Sequence, residues 1–206
     1  GIKGVNFICA NTDAQDLSKI HTARKIVLGQ ELTKGLGAGN NPERGRAATE
    51  QSIEEIKELL INTEMLFLTA GMGGGTGTGG APIIAKLARD MGILTVGVVT
   101  TPFKHEGAKR ANQAKLGIRD LMESVDSLIE IDNEKIFQVF PEDTDLSEGF
   151  DAVDDVLTNA LKSVTNVILT DTARMNIDFA DVKAAMSHKG MAIMCYGTAT
   201  GTNRAA

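Results

Sequence analysis

Apolar runs, punctuated by glycine and separated by amphipathic stretches, set the plan of this chain. Residues 5–10, 25–28, 65–70, 93–99 and 127–131 are apolar or β-branched runs of strand length. The run over 93–99 is almost continuously apolar, the pattern of a strand covered on both faces. After Asn41 and Pro42, an N-cap followed by a first helical position, Ile53, Ile56, Leu59 and Leu60 fall on one face of a helix and glutamates on the other. Further helices are predicted over 81–91 and 107–125, from 133, and over a long amphipathic stretch at 147–169. A last strand is predicted over 191–196. Strands alternating with helices of these lengths predict an α/β fold, with a mostly parallel sheet and helices on both sides.

In such sheets ligands bind outside the carboxyl ends of the strands. The loops at 11–13, 35–40, 71–80 and 100–106 all follow strands or precede helices, so several should gather at one edge. The densest of them, Gly71 to Gly80, holds seven glycines and two threonines in ten positions between a strand and a helix opening near Pro82. Backbone without Cβ atoms takes up positive φ and aims successive N–H groups into one concavity. The positive end of the following helix favours an anion there, most often a phosphate. The competing reading, a mobile linker, fits less well, because such loops are richer in Ser, Asn and Pro.

A chain of 206 residues buries roughly 70% of its unfolded surface on folding and needs no disulfide or metal staple. Cys9 and Cys195 each lie in an apolar segment, as buried free thiols of a reducing compartment do. The net charge of −6 and the absence of a basic stripe argue against a nucleic-acid partner. No apolar run reaches the length of a membrane span. The first strand-like run begins almost at Gly1, and the last runs out at residues 197–201, so the chain is expected to be a fragment of a longer protein.

Among nucleotide sites, Gly75 to Gly80 fits G-x-G-x-x-G, which leaves a dinucleotide-dependent oxidoreductase as an alternative. That fingerprint also needs an acid at the end of the next strand, and residues 99–102 supply none before Glu106. A G-x-x-x-x-G-K-[ST] loop is absent, which excludes a P-loop NTPase. The string Gly73-Gly74-Gly75-Thr76-Gly77-Thr78-Gly79 is instead the signature of the tubulin-like GTPases. Residues 11–15, 33–39, 102–107 and 175–182 carry further strings in the order of that family. The chain resembles the FtsZ family, its cell-division branch, from end to end.

The resemblance implies a tubulin-like nucleotide-binding domain, a three-layer doubly wound sheet ending in a long core helix and the first strand of a second domain. Its boundaries would be a GTP-binding domain at 1–146, a core helix at 147–170, a cross-subunit catalytic loop and helix at 171–190, and the start of a C-terminal domain at 191–206. Gly73, Gly74, Gly75, Thr76, Gly77 and Thr78 would wrap the phosphates of GTP or GDP. Ala38 and Gly39 would sense the terminal phosphate. The simpler reading of residues 35–40 is a turn before a helix.

Glu106 and Arg110, four apart, share a helix face. Taken alone they read as a surface salt bridge worth under about 1 kcal/mol. The resemblance implies that Glu106 accepts from ribose hydroxyls and Arg110 contacts sugar or phosphate. It likewise implies that Phe150 faces the purine and Asp154 reads guanine, whose ring N–H and amino group suit a carboxylate. Without it, Asp151, Asp154 and Asp155 are acids near a helix N-terminus.

Asp178 and Asp181 would reach across a head-to-tail contact lined by Asn176 and orient the attacking water in the next subunit's pocket. Mg2+ would bridge the phosphates without dedicated protein ligands. The implied partners are further copies of the chain and, through a C-terminal tail outside this sequence, membrane-tethering division proteins; the implied location is the cytoplasm, at a midcell division site. The family's first strand, with a further glycine loop that cradles the phosphates from the other side, also lies outside the sequence. A relative that holds nucleotide without hydrolysing it is the third reading, opposed by intact Asp178 and Asp181. His21, His105 and His188 have no metal or catalytic spacing, and Asp143 to Asp145 have no assigned role.

Overall fold

The computed structural model describes residues 5–21, 24–137, 155–159, 162, 184 and 190–191. In chain order the elements are β1 (Ile8–Asn11), α1 (Ala14–Ser18), β2 (Arg24–Val27), α2 (Gln30–Thr33), α3 (Pro42–Gln51), α4 (Ile53–Leu59), β3 (Met65–Gly71), α5 (Thr76–Asp90), β4 (Leu94–Thr101), a 3-10 turn (Lys104–Glu106), α6 (Ala108–Met122), β5 (Ser127–Asp132), α7 (Asn133–Phe137) and β6 (Gly190–Met191). Every strand pairing is parallel, as the alternation of apolar and amphipathic segments predicts.

Two of these elements correct the sequence reading. The helix after the glycine-rich segment begins at Thr76, not near Pro82, so Thr76 to Gly80 are helical. Pro82 lies inside it, where its ring leaves the Thr78 carbonyl without the usual i−4 donor. The amphipathic helix over residues 42–60 is two helices broken at Ser52, whose Oγ accepts from the Gly29 N–H at 2.9 Å.

The strands also form two sheets, β1-β2 and β3-β4-β5-β6, rather than one. Among the described residues, the facing edges of β1 and β3 do not pair. A cleft of about 920 Å³ runs between them, lined by both strands and by Thr76 and Gly77. The smaller sheet is joined to the larger through helices. Ile26, Leu28, Ala48, Ile56 and Leu60 pack with Ala88 and Ile93 in one buried cluster.

Strand β4 is buried along its first six residues, as the continuous apolar run requires. On one face Val99 and Leu128 pack under α5 and α6 with Ala81, Ala85, Ala114 and Leu121. Gly97 leaves room for the Leu128 side chain of β5, since a Cβ there would lie 2.8 Å from Leu128 Cδ1. On the other face Val96, Val98, Ile129 and Ile131 form a second layer, against which Leu157 packs. The sheet is thus covered on both sides, and its carboxyl edge holds the loops of interest.

Candidate functional site

Strand β3 runs out at Gly71, and Met72 prolongs its pairing through an N–H bond to the Thr100 carbonyl at 2.9 Å. The chain then turns at Gly73, whose φ is +101°. A Cβ there would stand 2.9 Å from the Arg110 carbonyl oxygen and 3.2 Å from Pro102, so only glycine fits. The Gly73 N–H donates to Thr78 Oγ1 at 2.8 Å, so the threonine hydroxyl folds the loop back over the first turn of α5.

The neighbouring glycines also make close packing contacts. Gly75 abuts Ala38 and Asn41, at 2.7 Å and 2.9 Å from a built Cβ. Gly77 abuts the Gly71 carbonyl at 2.4 Å, which seats α5 on the end of β3. Gly79 and Gly80 let α5 cross α3: a Cβ on Gly79 would sit 1.9 Å from the Pro42 carbonyl, and one on Gly80 2.5 Å from Thr49 Oγ1. Gly74 alone in the run Gly73–Thr78 faces open space, with nothing within 4 Å of a built Cβ.

The second glycine-rich loop lies against the first. Gly39 and the following Asn40 are both left-handed, with φ of +62° and +56°. Asn41 then caps α3 as its sequence predicts, its Oδ1 accepting from the N–H groups of Glu43 and Arg44 at 3.0 and 3.3 Å. Thr12, fully buried after β1, bonds its hydroxyl to that of Thr76 at 2.6 Å and takes the Gly37 N–H on its carbonyl. Three loops, after β1, α2 and β3, are therefore tied at one rim.

That rim is rich in free donors. Among the described residues the N–H groups of Ala38, Gly39, Asn40, Gly74 and Gly75 have no acceptor in the chain. The N–H groups of Thr76, Gly77 and Thr78 lack intrahelical acceptors because they open α5, whose first bond runs from Gly79 N–H to the Gly75 carbonyl. No side chain caps this helix start, and its first turn holds no acid. Unpaired amides, an uncapped helix start and open space at Gly74 thus lie together, an arrangement that would favour an anion.

Glu106 and Arg110 are brought together, though on two elements: Glu106 ends the 3-10 turn and Arg110 lies in α6. The Arg110 guanidinium donates to Glu106 Oε2, and the Phe103 N–H donates to Oε1 at 2.9 Å, so the carboxylate also closes the turn after β4. This turn is clipped to the end of β5 by Glu134, which accepts from the Lys104 N–H at 3.1 Å and pairs with its ammonium at 3.3 Å. The backbone donor holds the Glu134 carboxyl below the usual glutamate range, with the Lys104 charge adding to it. Because Arg110 borders Gly73, this pair stands beside the glycine loops.

Phe150, Asp154, Asn176, Asp178 and Asp181 lie outside the described residues. Conversely, the structure brings forward Asn133, which the sequence reading missed. It sits at the carboxyl end of β5, 6% exposed, and its buried Oδ1 has no partner among the described residues. The available signal was an asparagine directly after a strand, in line with the loops following β3 and β4. No group of three or more His, Cys, Asp or Glu side chains among the described residues is arranged to hold a metal. No helix among them is long and apolar enough to cross a membrane.

Comparison with known proteins agrees with this geometry. Residues 2–141 match the model of the Tubulin/FtsZ family, GTPase domain. The chain is 50% identical over 204 residues to the cell division protein FtsZ of Neisseria meningitidis serogroup A, and 53% identical over 204 residues to that of Pseudomonas aeruginosa. Each alignment covers 99% of this chain and 52% of the relative, so the chain spans about half the length of the curated relatives it matches. An empty FtsZ dimer from M. jannaschii superposes with a TM-score of 0.88 at 44% identity, over 93% of this chain and 55% of that one. CetZ2 from Haloferax volcanii, solved as a GTPγS-bound protofilament, superposes at 0.70 with 26% identity, over 81% of this chain and 51% of that one. Nothing found favours the dinucleotide-dependent alternative. By matched family model, by identity and by fold, the chain belongs to the Tubulin/FtsZ family, of which it carries the GTPase domain.

Proposed function

We propose that this chain supplies the nucleotide site of a GTP-binding, GTP-hydrolysing cytoskeletal protein that polymerises head to tail in cell division. The observation that carries the reading is the rim itself: residues 38–40 and 74–75 have unpaired amides, α5 opens uncapped beside them, and Gly74 leaves room. A polyphosphate is the ligand whose charge and acceptor count match such a donor set. Gly73 to Thr78 hold its phosphates, and Ala38 and Gly39 contact the terminal one. Glu106 and Arg110, adjoining Gly73, take the ribose side. Asn133, with an unpaired buried carbonyl, adds a contact for sugar or base, and Phe150 and Asp154 complete recognition of guanine.

Phosphoryl transfer needs chiefly positioning and charge stabilisation. The amides hold the developing charge on the phosphate oxygens without reorganising during the reaction. Asp178 and Asp181 of one subunit, with Asn176 at the contact, orient the attacking water in the neighbour's pocket, which couples hydrolysis to assembly. A heterologous contact that does not close gives a filament, the state described for the CetZ2 relative. Mg2+ would supply counter-charge to the phosphates of the bound nucleotide. The protein works in the cytoplasm at the division site, recruited by membrane-tethering partners.

The test is GTP turnover by the full-length protein as a function of its concentration. Turnover per subunit rises through the assembly threshold if the site is shared, and stays flat if it is not. Asp181→Ala should abolish turnover and leave nucleotide binding within about threefold, because only the water-orienting group is lost. Loss of binding would overturn the assigned role.

A further inference from the structure

Helix α6 touches both glycine-rich loops. Its Arg110 carbonyl backs Gly73, and Gly117 lies beneath Thr78, where a Cβ would come within 2.4 Å of Thr78 Cγ2. Between these two points Gln113 reaches the other loop, its Nε2 donating to the Asn40 carbonyl at 3.4 Å. Two turns on from Gln113, Asp120 pairs with Arg46 of α3 at 3.5 Å. The helix is thus a strut along the side of the rim, and Gln113 is where it grips the second loop.

Two features distinguish this contact from ordinary packing. Gln113 Oε1 is buried and has no partner among the described residues. Reversing the amide does not help, since it would turn that oxygen against the Asn40 carbonyl. A buried acceptor without a donor is a cost that folds seldom carry, and an apolar side chain of equal length would avoid it. Among the described residues the hydrogen bond that this side chain makes is the one to Asn40. That residue is left-handed without being glycine, and the peptide it opens is held at its other end by the Asn41 N–H bond to Ala38 at 3.3 Å. The same short loop carries the N–H groups of Ala38, Gly39 and Asn40, which have no acceptor in the chain.

We infer that Gln113 is a positioning residue for the terminal phosphate: by holding the Asn40 carbonyl it orients the second-loop amides that distinguish a triphosphate from a diphosphate. The inference rests on the nucleotide reading given above. It is tested in the full-length protein below its assembly threshold, by measuring affinity for GTPγS and GDP and the thermal midpoint of each variant. Gln113→Met keeps the volume and loses the donor, Gln113→Glu turns an acceptor on Asn40, and Gln113→Lys keeps a donor.

Loss of this one hydrogen bond should weaken GTPγS binding about fivefold or more in the Met and Glu variants and leave GDP within about twofold. The Lys variant should stay near wild type for both nucleotides. The Met variant should melt at or above the wild-type temperature, which a merely structural glutamine would not allow. A Met variant with unchanged GTPγS affinity, or one that loses both nucleotides together with thermal stability, overturns the inference alone. A wild-type protein that binds neither nucleotide overturns the nucleotide reading and this inference with it.

Discussion

Thr12 and Thr76 join their hydroxyls at 2.6 Å, a bond between the end of β1 and the first residue of α5. It ties the smaller sheet to the helix that opens on the glycine rim. Thr12 is fully buried, so its hydroxyl has no solvent to fall back on. Thr76→Val should lower stability by about 1–3 kcal/mol, the cost of leaving a buried polar group unpaired. The double change Thr12→Val with Thr76→Val should cost less than the sum of the singles. Thermal or urea denaturation of the four proteins checks this, and additive losses would show that the hydroxyls do not interact.

The glycines of the rim should separate into two classes on substitution. Gly79→Ala forces a methyl group into the Pro42 carbonyl and should cost about 3 kcal/mol or prevent folding. Gly74→Ala meets nothing within 4 Å and should change stability by less than about 0.5 kcal/mol. On the proposed reading the same methyl group intrudes on the ligand, so nucleotide affinity should fall while the melting temperature holds. Melting curves and nucleotide titrations of the two variants make the comparison.

Glu134 gives a pH dependence with a definite sign. Donation from the Lys104 N–H holds its carboxyl below the ordinary glutamate value, so the folded turn favours the charged form. The contribution is complete above the unfolded pKa and is lost as pH falls through the lower, folded one. Amide exchange at Lys104 should show protection that declines on acidification below the usual glutamate range. In Glu134→Gln that protection should not vary with pH over the same interval.

The sequence made some of this legible and hid the rest, for identifiable reasons. Asn41 followed by Pro42 announced the start of α3, because a cap is a local hydrogen-bond arrangement written in adjacent residues. The start of α5 was misplaced because glycine is a poor helix former, and the run before Pro82 read as coil. Gly79 and Gly80 are helical all the same, since the crossing with α3 leaves no room for a Cβ. The break at Ser52 depends on a bond from Gly29, far away in sequence. The separation of β1 from β3 is likewise non-local, and no periodicity along either strand reports it.

Gln113 carries no spacing signal, and Asn133 only its place directly after a strand; burial of an unpartnered oxygen is what marks both. Glu106 and Arg110 were visible as a pair four apart. Their contact with the turn after β4 and their place beside Gly73 required coordinates. The residues assigned to guanine and to the neighbouring pocket, Phe150, Asp154, Asn176, Asp178 and Asp181, rest on the family resemblance.

The crossing of α3 and α5 has an electrostatic consequence. Asn41 and Gly75, the residues from which the two helices start, touch each other. Two partial positive ends are therefore held at van der Waals range, an arrangement that like dipoles resist. On the proposed reading a polyanion at the rim would neutralise both ends together and act as mortar between the helices, so occupancy should stiffen the joint between the small sheet and the large one as well as fill a pocket.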